Sequence, residues 1–317
     1  MKTNLWLVVP CYNEEAVLEW TLKKIKDLMG QLLQQQLISE NSRVVLIDDG
    51  SNDSTWTLIK TKCQTDALFQ GIKLSRNQGH QNALLAGLMY ACDKCDCTIS
   101  LDADLQDDIG VIPEFLEKYR QGYEIIYGVR SKRETDSGFK KRTASLFYKL
   151  MSVLGTEIVD NHADYRLMSN RALKALREYK EVNLFLRGIV PLIGFESTKV
   201  YYERKERAAG ETKYPLRKMV SFALDGITSF SVKPLRIISL TGILCSALSI
   251  LGLFYALVSH IANLTVPGWT AIVCSIWLIG GIQMLCLGVV GEYVGKIFSE
   301  VKQRPRYIIE EIVTSDP

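Results

Sequence analysis

The stretch CDKCDCTISLDADLQDD, residues 92–108, brings two kinds of metal-binding chemistry close together. Cys92, Cys95 and Cys97 offer soft thiolates, while Asp102, Asp104, Asp107 and Asp108 offer hard carboxylate oxygens. The thiols fall short of a zinc site, because no fourth Cys or His follows at a suitable spacing. They read as incidental residues at a helix end and a strand start. Asp102 and Asp104 stand two apart where an apolar strand ends. Oxygens so placed suit Mg2+ or Mn2+, which keep several waters and bind substrate phosphates as well. Gln106 adds a further oxygen, and Asp107 and Asp108 read as helix-capping acids.

Other strand ends carry similar chemistry. LWLVVP is an apolar run stopped by Pro10, RVVLIDDGS ends in Asp48 and Asp49, and GIKLSRN ends in Arg76 and Asn77. Between them, residues 14–37 place Val17, Leu18, Leu22, Ile25, Leu28 and Leu32 near a 3.6-residue period, which predicts a helix. DSTWTLIKTKC predicts a second helix capped by Asp53 or Ser54. HQNALLAGLMYAC and IPEFLEKYRQGY predict two more helices, and CTISLDADLQ and EIIYGVR two more strands. Alternating strands and helices predict an α/β fold with a mostly parallel sheet and helices on both faces. Ligands of such sheets bind at the carboxyl ends of the strands, where these acids collect. His80 is placed to help cap a helix near that edge. A basic run, Arg130, Lys132, Arg133, Lys140, Lys141 and Arg142, suits phosphate groups or lipid headgroups.

The chain has 317 residues, 47% hydrophobic and 23% charged, with a formal net charge of +3. So small a charge argues against a nucleic-acid partner. From Ile237 to Gly291 there is no Asp, Glu, Lys or Arg. That length accommodates two spans of about 20 residues, Leu235–Ile261 and Trp269–Val290, turning at Asn263, Pro267 and Gly268. Lys233 and Arg236 precede the pair, Lys296, Lys302, Arg304 and Arg306 follow it, and the loop between has no basic residue. The bias places both ends in the cytoplasm and predicts a two-helix transmembrane hairpin. The N-terminus does not resemble a signal peptide. The eight cysteines read as reduced. Residues 139–151 and 214–230 are amphipathic and could lie in the membrane interface. RPRYIIEEIV could form a strand paired with its own domain or with a neighbour's, so a homo-oligomer is open.

VVPCYNEE, IDDGSNDST and LDADLQD, in that order, resemble the inverting, family-two nucleotide-sugar glycosyltransferases of the GT-A (Rossmann-like) fold. NHADYRLMSNRAL, RAAGETKY and GEYVGKIFSEVKQRPRYII narrow the resemblance to the bactoprenol glucosyltransferase type of polyprenyl-phosphate glycosyltransferase, related to dolichol-phosphate mannose synthases. It covers almost the whole chain. It implies a cytoplasmic catalytic domain at residues 1–230, two transmembrane helices within 231–296, and a cytoplasmic tail at 297–317, held at a bacterial plasma membrane.

The same resemblance implies site roles. Pro10, Tyr12, Glu14 and Asp49 would line the nucleotide pocket, with Arg207 and Lys213 in a lid over it. Asp102, Asp104 and Gln106 would hold Mg2+ or Mn2+ and the donor diphosphate. Asp164 would stand near the acceptor, with Arg130, Lys140, Lys141 and Arg142 at phosphates and Arg130 and Arg142 serving catalysis. The implied acceptor is polyprenyl phosphate and the implied donor UDP-glucose; UDP-GlcNAc, GDP-mannose and a UDP-aminopentose are alternatives. A phosphate nucleophile has a second pKa of about 6, so Asp164 is expected to position the acceptor or a basic neighbour more than to take a proton. A salt bridge from Asp164 to Arg166 or Arg171 is the plain structural alternative. A non-catalytic nucleotide-binding scaffold is the rival from another functional class.

Overall fold

A computed structural model describes residues 2–131, 162–182, 185–203 and 268–315, and six isolated helical positions between 235 and 251. Within these the chain forms two compact units. The first holds everything described up to Glu203 together with the segment from Arg304. The second holds the long helix near the C-terminus.

In the first unit, strands β1 (Leu5–Cys11), β2 (Arg43–Asp48), β3 (Phe69–Leu74), β4 (Cys97–Ser100) and β5 (Ile125–Arg130) alternate with helices α1 (Glu15–Gln34), α2 (Thr55–Thr65), α3 (His80–Ala91) and α4 (Ile112–Arg120). All seven residues of β1 are buried, as expected of a central strand covered on both faces. Helix α1 turns Leu18, Leu22, Ile25, Leu28, Met29 and Leu32 inward, the stripe its periodicity predicts. Asp53 holds the start of α2, accepting the Thr55 N–H on one oxygen and the Glu15 N–H on the other.

Three further strands complete the sheet: β6 (His162–Ser169), β7 (Ser197–Tyr202) and β8 (Ile309–Val313). The order is β7-β5-β6-β4-β1-β2-β3-β8. Neighbours β1/β2, β1/β4, β2/β3 and β5/β7 run parallel. Strand β6 lies antiparallel between β4 and β5, and β8 lies antiparallel on β3. The sheet is therefore mixed: six of the eight described strands run one way, and β6 and β8 run against them. The alternation predicted for the first half of the chain holds, and the exceptions arise from strands that follow it. Strand β8 pairs within its own chain, with Lys60–Glu311 (2.5 Å) and Lys73–Glu310 (3.0 Å) ion pairs beside it. Two short helices, α5 (Asn170–Arg177) and α6 (Leu186–Leu192), follow β6.

The second unit contains helix α7 (Trp269–Val301), 33 residues long. Within it Ile279–Val301 is long and apolar enough to cross a membrane, with mean hydropathy 1.3 and none of it buried. The helix does not stop at Val290, where the second span was expected to end. It continues past Gly291 and Glu292 and stops before Gln303, whose φ of 46° leaves helical geometry. The first expected span lies outside the described residues except for isolated positions, as do residues 139–151 and 214–230.

Candidate active site

The carboxyl ends of β1 and β2 are sewn together by their own turns. The Asn13 N–H donates to Ser51 Oγ (3.0 Å), the Asn52 N–H to Asn13 Oδ1 (2.9 Å), and the Glu14 N–H to Thr55 Oγ1 (2.9 Å). Pro10 is buried in β1, Glu14 is half-buried, and Tyr12 is exposed. Asp48 and Asp49 are both buried. Asp48 accepts the Ser51 N–H, and its second oxygen is buried without a hydrogen-bond partner. Burial pushes its carboxyl up. Asp49 spends both oxygens on the loop before α3, accepting the N–H groups of Gln78 (2.7 Å) and Gly79 (2.9 Å). Gly50 makes the close approach possible. Its φ is +66°, and a Cβ there would lie 2.6 Å from backbone atoms of Arg76 and Asn77.

The loop after β4 is fixed from the side opposite its acids. Ala103 is buried, and its carbonyl accepts the Thr21 hydroxyl of α1 (2.7 Å). Asp102 keeps 42% of its side-chain surface open. Its carboxyl nevertheless lies in an acidic neighbourhood. Burial first, then the carboxylates of Asp107, Asp164 and Asp104, push it up to about 6 against the pull of His80. Asp104 accepts the Gln106 N–H (3.2 Å), and Gln106 is 5% exposed.

Asp107 does not cap a helix. It accepts Tyr202 Oη–H (2.7 Å) and Arg130 Nη2–H (3.1 Å) through one oxygen, and its other oxygen is buried without a hydrogen-bond partner. A hydrogen bond from a strand that arrives 95 residues later, together with the ion pair to Arg130, takes the place of a local backbone contact. Asp108 does cap, accepting the Gly110 N–H at the turn Ile109–Val111. Arg130, expected at phosphates, is thus bound to Asp107 and Tyr202 in this structure.

Asp164 is almost fully buried on β6. The Ser100 hydroxyl of β4 holds its carbonyl. Its Oδ1 lies 2.6 Å from Arg166 Nη2, and Arg187 of α6 forks onto both oxygens, Nε to Oδ1 at 3.3 Å and Nη2 to Oδ2 at 3.1 Å. Burial opposes its charge, but the two guanidiniums outweigh that effect and hold the carboxyl well below the usual carboxylate range. Among the described residues the expected partner Arg166 is present, whereas Arg171 pairs with Glu124 instead. His80 Nε2 stands 3.6 Å from Asp102 Oδ1 and 3.7 Å from Asp164 Oδ2, linking the two acids.

The structure thus brings Asp102, Asp104, Asp164 and His80 to one edge. Lys140, Lys141, Arg142, Arg207 and Lys213 lie outside the described residues. No three His, Cys, Asp or Glu side chains converge as a closed metal cage among the described residues. Two hard carboxylates with an open side fit a cation whose remaining ligands are waters and diphosphate oxygens. The thiols do not compete: Cys92, Cys95 and Cys97 are buried, and burial pushes each thiol up.

Residues 6–177 match Glycosyl transferase family 2. The chain belongs to that family. It is 51% identical to an uncharacterized glycosyltransferase, YkoT, of Bacillus subtilis (strain 168), over 96% of this chain and 91% of that one. It is 37% identical to the SfII prophage-derived bactoprenol glucosyl transferase of Shigella flexneri, over 98% of this chain and 99% of that one. The resemblance read from the motifs is borne out. A mannosyltransferase of Pyrobaculum calidifontis, solved with GDP-Man and Mn2+, overlaps 93% of this chain and 88% of its own with a TM-score of 0.45 and 14% identity.

In this family-two chain, Arg187 and Tyr202 stand beyond the family match and carry no motif, so sequence reasoning passed over them. One signal was available for Arg187: it is the lone charge in the apolar run NLFLRGIVPLIG.

Proposed function

We propose that the chain transfers glucose from UDP-glucose to the phosphate of a polyprenyl phosphate, inverting the anomeric centre, at the cytoplasmic face of a bacterial plasma membrane. The near-complete match to proteins named bactoprenol glucosyl transferase supports the acceptor and the sugar. The observation from the structure that carries the chemistry is the pairing of Asp102 with Asp164 across His80. It puts Asp102, assigned in this reading to the donor diphosphate, near an acid held by two arginines.

Pro10, Tyr12, Glu14 and Asp49 frame the nucleotide, and Arg207 and Lys213 belong to the lid. Asp102, Asp104 and Gln106 are the residues assigned to Mg2+ or Mn2+, which when bound stabilises charge on the departing diphosphate. In the transfer, an acceptor phosphate oxygen forms a bond to the anomeric carbon. The bond from that carbon to the donor's diphosphate oxygen breaks, and its electron pair leaves with the nucleoside diphosphate. At neutral pH much of the acceptor is already a dianion, because its second pKa is about 6. A proton on the remaining monoanion passes to water. Asp164, held as a weak base by its arginines, orients its neighbours. Arg130, Lys140, Lys141 and Arg142 gather the acceptor phosphate, with Arg130 exchanging Asp107 for it.

The membrane part is a two-helix hairpin of Leu235–Ile261 with α7, both ends cytoplasmic. A 33-residue helix is about 50 Å long, against a hydrocarbon core of about 30 Å. The turns from Glu292 onward therefore stand clear of the hydrocarbon. The amphipathic segments at 139–151 and 214–230 are assigned in this reading to the membrane interface.

The test is incubation with a panel of labelled nucleotide sugars, Mg2+ or Mn2+, and undecaprenyl phosphate, followed by lipid extraction. Labelled lipid is expected from UDP-glucose and lost in Asp104→Ala. Label from UDP-GlcNAc, GDP-mannose or a UDP-aminopentose instead would change the donor; no labelled lipid from any donor would refute the function.

A further inference from the structure

His80 begins α3, and the backbone that leads to it is pinned from several sides. Asp49 accepts the N–H groups of Gln78 (2.7 Å) and Gly79 (2.9 Å), and Asn77 Oδ1 accepts the Gly79 N–H as well (3.1 Å). The Gln78 carbonyl accepts Asn82 Nδ2–H (2.8 Å). The next residue, Gln81, takes the Leu186 N–H on Oε1 (2.8 Å), which ties the same turn to α6. The His80 side chain is held differently. It is 44% exposed, and its Nε2 stands 3.6 Å from Asp102 Oδ1 and 3.7 Å from Asp164 Oδ2. Both distances exceed hydrogen-bond length. Among the described residues the ring makes no hydrogen bond. A pinned backbone carrying an unspent polar group is the arrangement of a preorganised ligand contact.

The neighbours of Nε2 restrict the chemistry of that ligand. Facing two carboxylate oxygens, Nε2 carries a proton whether the ring is neutral or charged. A group entering there accepts a hydrogen bond from the imidazole and donates one to a carboxylate. A hydroxyl does both. A phosphate oxygen only accepts, and the two carboxylates repel its charge. From these observations we infer that His80 is a specificity-determining residue that hydrogen-bonds a hydroxyl of the sugar being transferred. This deepens the transfer reading above and rests on it, since no residue there reads the sugar itself. Along the sheet the order β6-β4-β1-β2 sets Asp164, Asp102 and the nucleotide strands side by side. With the nucleotide at β1 and β2 and the diphosphate at Asp102 and Asp104, the sugar on the far phosphate extends toward β6. Between Asp102 and Asp164 it meets His80.

The test uses the full chain in detergent micelles with Mn2+, comparing wild type, His80→Phe, which keeps a ring without nitrogen, and His80→Gln, which keeps an N–H donor. Each is titrated calorimetrically with UDP, UDP-glucose and the 2-, 3-, 4- and 6-deoxy forms of UDP-glucose. His80→Phe is expected to bind UDP as wild type does and to bind UDP-glucose roughly three- to tenfold more weakly, the range for one net hydrogen bond. His80→Gln restores part of the loss. One deoxy donor should show the same loss with wild type and no further loss with His80→Phe, because the bond has already gone. An equal fall in UDP and UDP-glucose affinity assigns His80 to the nucleotide or diphosphate and overturns the inference. Deoxy donors that weaken equally in wild type and His80→Phe also overturn it, as does a loss of turnover with every donor affinity unchanged. Transfer of label to undecaprenyl phosphate is measured beside the titrations. Wild type that labels the lipid, with UDP-glucose binding independent of His80, refutes the sugar contact alone. Wild type that labels no lipid, with UDP-glucose binding still dependent on His80, refutes the lipid acceptor and leaves the sugar contact standing.

Discussion

Replacing Asp164 with Asn separates two roles the residue can play. Asn keeps the shape and removes the charge, so Arg166, 2% exposed, loses the carboxylate at 2.6 Å. Removing one partner of a buried pair leaves an uncompensated charge and costs about 3–5 kcal/mol. For a domain of this size that corresponds to a fall in Tm of about 10 °C. The folded carboxyl titrates below its ordinary value of about 3.9. Its stabilising contribution is therefore fully present above that value and is lost only as pH falls through the lower folded value. The stability gap between wild type and Asp164→Asn should accordingly be constant from pH 6 to pH 9, by thermal denaturation. Transfer activity should fall by the same factor at both pH values, because the acceptor does not depend on Asp164 to lose a proton. Adding Arg166→Met to the variant should recover part of the stability, since the stranded charge is gone, without recovering activity. Wild-type stability in Asp164→Asn, or an activity loss concentrated at pH 6, would refute the positioning argument.

Tyr202→Phe removes the hydroxyl that donates to Asp107 at 2.7 Å while keeping the ring packed on Tyr165; a loss of about 1.5–3 kcal/mol is expected in chemical denaturation. Gly50→Ala should destabilise by about 2 kcal/mol or more, measured by the same method, because the new Cβ meets backbone 2.6 Å away and φ is positive. Chelation by EDTA should abolish transfer, with recovery on adding Mn2+ or Mg2+, while Tm measured by thermal denaturation changes little, since two open carboxylates rather than a closed cage would hold the ion.

Much of the fold was legible because it is written in local periodicity. Apolar runs ended by Pro10 or by acids marked β1, β2 and β4, and the stripe on α1 marked a helix against the sheet. Asp102-Ala103-Asp104 was legible for the same reason: a strand's end fixes where its next residues emerge. Strand β6 was not read as a strand, since its sequence HADYRLMS carries Asp164 and Arg166 at positions that turn out to be buried. Charges in a buried strand make sense only once their partners are known. Asp107 was misread as a cap because its partner Tyr202 lies 95 residues away.

By itself, then, the sequence determined the alternation of strands and helices, the acidic edge, the charge-free segment near the C-terminus and the family. Each depends on residues adjacent in the chain or on motifs kept in order. Tertiary structure alone decided that β8 returns to β3, that Arg130 rests on Asp107, and that Arg187 and His80 flank Asp164. Those facts depend on which strands become neighbours. In the buried interior a charge is tolerated only beside a fitting partner, and chain order does not reveal which partner folding will supply.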